Sequence, residues 1–166
     1  MIKKIVCAAL VITMFLTLVA CVADNSSGDN AESFSFIYNE VKFAPGDDFA
    51  PISEKLGEPS GYYEAASCAF DGKDKIYTYG SVQISVSPLD GKDIIFMVTL
   101  LDDSLSTPEG ISVGAEKAAV VAAYGEGQDN GSSLVYGSGK INLVFLIRDD
   151  RVTSVQYRYV DAVTEN

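Results

Sequence analysis

The sequence predicts an α+β fold of two tandem repeats, each a short helix packed on an antiparallel sheet of three to four strands. Three observations lead there. The stretch FAPGDDFAPISEKLGEP from Phe43 lines up with ISVGAEKAAVVAAYGEG from Ile111, pairing Gly46 with Gly114 and Gly57 with Gly125 at a separation of 68. YGSVQI from Tyr79 then lines up with YGSGKI from Tyr136 at a separation of 57, so the second copy has lost about eleven residues from the loop after its helix. Finally, each copy passes from helical spacing to short apolar runs separated by turn residues.

The first helix is expected to start at Asp47 or Asp48 as cap, with Phe49, Ile52 and Leu56 at helical spacing, Gly57 as the stop and Pro59 beyond it. Pro51 fits because the first turn has no partner for its missing N–H. The second helix carries Val120, Val121 and Tyr124 among alanines and ends at Gly125, with Ser112 or Ala115 near its start. Strands are expected near 67–70, 75–79, 82–87 and 93–101 in the first copy, and near 133–136, 140–147 and 152–159 in the second. Asp-Gly, Asp-Asp and Ser-Gly pairs between them supply hairpin turns. Val82, Ile84 and Val86 alternate with Gln83, Ser85 and Ser87, which gives that strand one wet face. Two other strands are apolar on both sides: Val144 and Leu146 oppose Ile141, Leu143, Phe145 and Ile147, and strict alternation sets Ile95 and Met97 apart in the same way. Such strands need cover twice. A helix covers one face, and the second calls for the other repeat, packed against it or joined in a continuous sheet, or for a partner.

The amino terminus is of a different kind. Lys3 and Lys4 precede Ile5 to Ala20, 16 residues without a charge, Pro or Gly, and the run ends Leu18-Val19-Ala20-Cys21. That is short of the ~20 residues of a spanning helix, and the order of basic, apolar and small residues is that of an export signal. The expected organisation is a signal segment over 1–20, an anchor and tether over 21–35, repeat one over 36–104, repeat two over 105–160 and a tail over 161–166. A tether suits the stretch from Ala23 to Ser33, which has too few apolar residues to bury.

Cleavage before Cys21 leaves 146 residues with ten basic and 23 acidic side chains, a net charge near −13. Such a chain lacks the Lys and Arg patches that nucleic acid requires. Of the three cysteines, only Cys68 then remains as a thiol, and its apolar surroundings from Ala65 to Phe70 suggest a small buried residue. With one thiol, no internal disulfide is available.

The chain contains no histidine, which removes His-based nucleophile activation and Cys/His zinc sites. YGSGKI lacks the first glycine of a phosphate loop and has Ile141 where a magnesium-binding hydroxyl belongs. The acidic pairs Asp47/Asp48, Asp102/Asp103 and Asp149/Asp150 lack the alternating oxygen-ligand pattern of a calcium loop. They read as caps and turns. No cofactor, metal or catalytic residue is therefore assigned, and a carboxylate-pair hydrolase would need two acids brought together by the fold.

The Leu-Val-Ala-Cys block resembles the lipobox of bacterial lipoproteins, which implies a diacylglyceryl anchor, fatty-acylated as with palmitate, on Cys21 and a place on the extracytoplasmic membrane face. SVG, helix, YGE, the YG strand and LVFLIRDDRVTSVQY resemble the helix-plus-sheet module of the SmpA/OmlA outer-membrane assembly lipoproteins and the tandem fold of β-lactamase inhibitory proteins. SCAFDGKDKIYTYG and TPEGISVG are similar to lipoproteins of Gram-positive gut bacteria. The resemblance implies binding of proteins in the envelope or outside the cell. It implies as an alternative a tethered inhibitor of an extracellular enzyme, although the inhibitors' disulfides have no counterpart with Cys68 alone. Tyr62, Tyr63, Ile95, Met97, Val144 and Leu146 are the candidate contact residues, Tyr62 and Tyr63 from a long loop and the other four from doubly apolar strands.

Overall fold

The computed structural model describes residues 34–160, so Cys21, the signal and most of the tether lie outside the described residues. In chain order the elements are β1 (Phe36–Tyr38), β2 (Val41–Phe43), α1 (Ala50–Leu56), β3 (Gly61–Ala66), β4 (Lys73–Tyr79), β5 (Val82–Leu89), β6 (Lys92–Leu100), α2 (Lys117–Tyr124), β7 (Gln128–Asp129), β8 (Ser133–Ser138), β9 (Ile141–Arg148) and β10 (Arg151–Tyr159). β1 and β2 form a small hairpin, while the other strands make one antiparallel sheet in the order β3-β4-β5-β6-β10-β9-β8-β7.

This corrects the expected fold class. Strand makes up 51% of the described residues and helix 12%, so the protein is mainly β and not a pair of α+β modules. The two strand groups share a continuous sheet, joined where β6 meets β10 through Val155 opposite Leu100, Gln156 opposite Thr99, Tyr157 opposite Val98 and Arg158 opposite Met97. Pairing the last strand of each group removes two edges that would otherwise stand open.

The repeated spacing is expressed locally, in how each helix is tied down. The Gly46 N–H donates to the Ile95 carbonyl at 2.7 Å, the Ile95 N–H to Asp47 at 2.9 Å and the Phe49 N–H to Asp93 at 2.8 Å. At the equivalent positions the Gly114 N–H donates to Val152, the Val152 N–H to Ala115 and the Lys117 N–H to Asp150, each at 2.8 Å. The third bond of each set satisfies a backbone donor at a helix start, where no intrahelical partner exists. It takes the place of a side-chain cap, which neither Phe49 nor Glu116 provides. Asp48 still accepts from the Ala50 N–H at 3.1 Å, whereas Ser112 caps nothing.

Both clamps reach the two central strands, and the helices accordingly bury their apolar sides against one face of the sheet. Phe36, Phe43, Phe49, Ile52 and Val120 join Val82, Ile84, Val98, Leu100, Leu143, Phe145, Val155 and Tyr157 in a single core. Each such side chain contributes roughly 1.5–3 kcal/mol through burial. Tyr157 lies at its centre, 1% exposed, and its hydroxyl finds no partner among the described residues. Burial of that hydroxyl pushes its pKa up.

Three local expectations change. The strand expected at 67–70 is instead β3 at Gly61–Ala66, and 67–72 is the loop joining it to β4. Tyr62 and Tyr63 are thus strand residues and not loop residues. Cys68 sits in that loop and is exposed, because the apolar run around it turns away from the core. The hairpins follow the turn chemistry, with positive φ at Asp90-Gly91 and at Asp149-Asp150.

The paired glycines give a graded test. Gly46 and Gly114 hold φ of +97° and +89°, and an added Cβ at Gly46 would lie 2.9 Å from the Tyr159 ring, while at Gly114 it meets nothing within 4 Å. Gly114→Ala is expected to cost about 1 kcal/mol of backbone strain and Gly46→Ala about 2–3 kcal/mol, strain plus overpacking. Urea unfolding of the two variants checks the order; equal losses would contradict it.

Candidate binding surface

Cross-strand register decides which side chains share a face, since directly opposed residues point the same way. The helix-covered face carries Val82 opposite Leu100 and Ile84 opposite Val98. The other face carries Tyr63 opposite Ile76, Ser85 opposite Met97, Gln83 opposite Thr99, Gln156 opposite Val144, and Ser133 opposite Leu146. None of these residues belongs to the core cluster or packs against it. This second face is the candidate site.

Four of the six candidate contact residues come together there. Tyr63 is 63% exposed at one side of the sheet and Met97 and Leu146 are half-buried nearer the middle, whereas Val144, 3% exposed between its neighbours, lies on this face but is too buried to be a contact residue. Ile95 is a correction. Strict alternation groups it with Met97, but Ser85 opposes Met97 while the next residue, Val86, opposes Ile95. Phe96 is therefore the extra residue of a bulge, and a bulge reverses which face the following residues take. Ile95 turns into the core with no exposure and is no contact residue. Phe96 uses the displaced position to pack between Phe70 and Tyr159, at centroid distances of 5.3 and 5.4 Å.

Tyr62 is also set apart. It projects from the helix-covered side at the rim of the sheet, its ring tilted against Tyr77 at a centroid distance of 5.0 Å, and Tyr77 is in turn tilted against Phe49 at 4.5 Å. Its hydroxyl donates to Glu64 Oε2 at 2.6 Å, which pushes the phenol pKa up. Lys73, and after it Tyr62, holds the Glu64 carboxyl below its usual range.

Charge marks the open face further. The chain is acidic throughout, with 23 Asp and Glu, and among the described residues the strand register places one carboxylate, Asp74, on this face. Its middle is a polar stripe along β10. Arg158 Nε donates to Gln156 Oε1 at 2.8 Å, its Nη2 donates to the same oxygen, and Gln156 Nε2 donates to Ser154 Oγ at 3.3 Å. Apolar flanks come from Met97 on β6 and from Leu146 on β9, with Val144 buried beneath them. Thr99, Gln156 and Arg158 were not singled out from the sequence, although Gln156 and Arg158 alternate with Tyr157 and Tyr159 and so belong to the face opposite them. A surface of this kind offers area and hydrogen-bonding groups without a field of negative charge, as the centres of protein interfaces do.

The concave sites have less to offer. A cavity of about 670 Å³ lies between the start of α2 and the β9–β10 turn, lined by Glu116, Lys117, Ala118, Val121, Asp149, Asp150 and Arg151. Its cations are already engaged, Lys117 with Asp129 at 2.6 Å and Arg151 with Glu116 at 3.5 Å. A second, of about 390 Å³, is lined by residues that include Phe34, Ile37, Lys42, Glu109 and Tyr157. Carboxyls with a clear shift move down: Glu64 through Lys73, Asp102 through the Ser104 and Ser81 hydroxyls, Asp129 through Lys117. A glycosidase-type general acid needs the opposite shift. No group of three or more metal-ligating side chains occurs among the described residues.

No protein-family model matches the chain, and no curated protein matches it. Among solved structures it is similar to an extracellular protein containing a SCP domain from Bacillus anthracis str. Ames, at 14% identity and a TM-score of 0.42. The match covers 72% of this chain and 45% of that one, and so assigns neither a family nor an activity.

The bulge supplies the test of the two faces. Ile95→Ala is expected to cost about 2–5 kcal/mol as a core truncation, and Met97→Gln about 1 kcal/mol or less as a change on the open face. Thermal melts followed by circular dichroism read both; the reverse order would place Met97 in the core.

Proposed function

We propose that this protein is a lipid-anchored, extracytoplasmic, non-catalytic binding module, held to the membrane by acylated Cys21 and docking a partner protein on the open face of its sheet. The observation that carries the reading is that face itself: an eight-stranded sheet with both helices on one side, and on the other a broad surface of apolar, hydroxyl and amide side chains around Arg158. An acidic chain whose described strands set a single carboxylate, Asp74, on one large face leaves most of that face free to be desolvated. The partner that suits it is a protein with an apolar patch and an acceptor for the Arg158 guanidinium.

The basic, apolar and Leu-Val-Ala-Cys order at the amino terminus supports the anchor, and two acyl chains hold where one binds marginally. No helix among the described residues is long and apolar enough to cross a membrane.

Two readouts test the proposal together in native membranes. The N-terminal peptide is expected to begin at Cys21 with a diacylglyceryl mass, and Cys21→Ala to leave the membrane fraction. A photo-cross-linker at Met97 is expected to give one discrete adduct that a probe at Lys55 on α1 does not give and that Leu146→Glu abolishes. Adducts indifferent to probe position and to Leu146→Glu would overturn the docking surface, and an uncut, unacylated N-terminus would overturn the anchor.

A further inference from the structure

The eight-stranded sheet has two ends. One is β7, two residues long. The other is β3, whose six residues GYYEAA pair with β4 on one side without a register shift and have no strand on the other among the described residues. Natural edges are blunted by shortness, proline, lysine or a bulge. β3 has none of these, and every residue after Gly61 is exposed. Its one charge, Glu64, is bound by Lys73 from β4, so the edge is neutral on a chain of net charge −11.

The direction of the free backbone groups follows from the pairing. The Ser67 N–H donates inward to Gly72 at 3.0 Å. In an antiparallel pair inward and outward residues alternate. Ala65 and Tyr63 therefore bond toward β4, and the N–H and C=O groups of Tyr62, Glu64 and Ala66 point outward.

We propose that this edge pairs with β3 of a second copy, antiparallel, about a two-fold axis at Tyr63. Continuity of both faces across the axis requires residues of the same face to oppose each other, and hydrogen bonding requires outward residues to oppose outward ones. The register that sets Tyr63 against Tyr63 meets both conditions. It brings Tyr62 opposite Glu64 of the second copy, a donor against a carboxylate that already accepts from Tyr62 within the chain. The register shifted to oppose Glu64 with Glu64 sets like charges together, which is destabilising in a sheet. Exposed tyrosine area at the axis, 52% for Tyr62 and 63% for Tyr63, is covered on association.

Six residues of edge bury less than the ~1,200 Å² of a stable interface, so the pairing is weak and a covalent trap is the suitable probe. In the full chain with Cys7, Cys21 and Cys68 replaced by Ser, which removes any dependence on the anchor, Tyr63→Cys places two thiols at an opposed, non-hydrogen-bonded pair. Its Cα separation of about 4.5 Å suits a disulfide, whereas Tyr62→Cys alone does not align with itself. Mild oxidation is expected to dimerise Tyr63→Cys about tenfold faster than Lys55→Cys or Tyr62→Cys, and a mixture of Tyr62→Cys with Glu64→Cys is expected to cross-link as the mixed dimer. Rates for Tyr63→Cys and for the mixture no faster than for Lys55→Cys would overturn the proposal.

Discussion

The structure depends on the junction of β6 with β10. Four cross-strand pairs from Met97 to Leu100 on one side and Val155 to Arg158 on the other make one sheet from two strand groups. The same two strands hold the helices, through Ile95 and Asp93 for α1 and through Val152 and Asp150 for α2. Because the clamping strands are neighbours, both helices fall on one face and share one core with the β1–β2 hairpin. A chain that instead closed each group separately would have four strand edges exposed and two small cores, each poorer in buried area.

Function in this account follows from what the junction leaves over. Helices on one side complete the burial of Val82, Ile84, Phe145 and their neighbours, and the opposite side is left to Tyr63, Met97, Thr99, Gln156 and Leu146. Polar residues on β10 and the near absence of carboxylates keep that side compatible both with water and with a partner. The β3 edge is a separate resource, made of backbone groups where the face is made of side chains.

Much of this was legible in the residues. Gly57 and Gly125 marked the helix exits, Gly46 and Gly114 were matched as repeat positions, and all four hold positive φ. The alternation in Val82 to Val86 gave the covered face of β5. The fold class was misread because spacing reports which local units recur, whereas only long-range pairing decides whether their strands join. Ile95 was misplaced because a bulge leaves no mark in hydropathy: Ile, Phe and Met at 95–97 are all apolar, and nothing in them says which is the extra residue. β3 was missed since Gly57, Pro59 and Gly61 made the region look like loop, although the adjacent tyrosines favour a strand. Asp150 serving α2 from a distant turn is a tertiary contact that no local cap rule contains.

Residue-resolved amide hydrogen exchange tests the central claim, a single sheet closed at β6 and β10. Amides at 98–100 and 155–157 are expected to exchange only by global unfolding, with the same free energy as the protected amides of β4 and β9. Two separate opening energies for the two strand groups, or early exchange along the β6–β10 pairing, would contradict it.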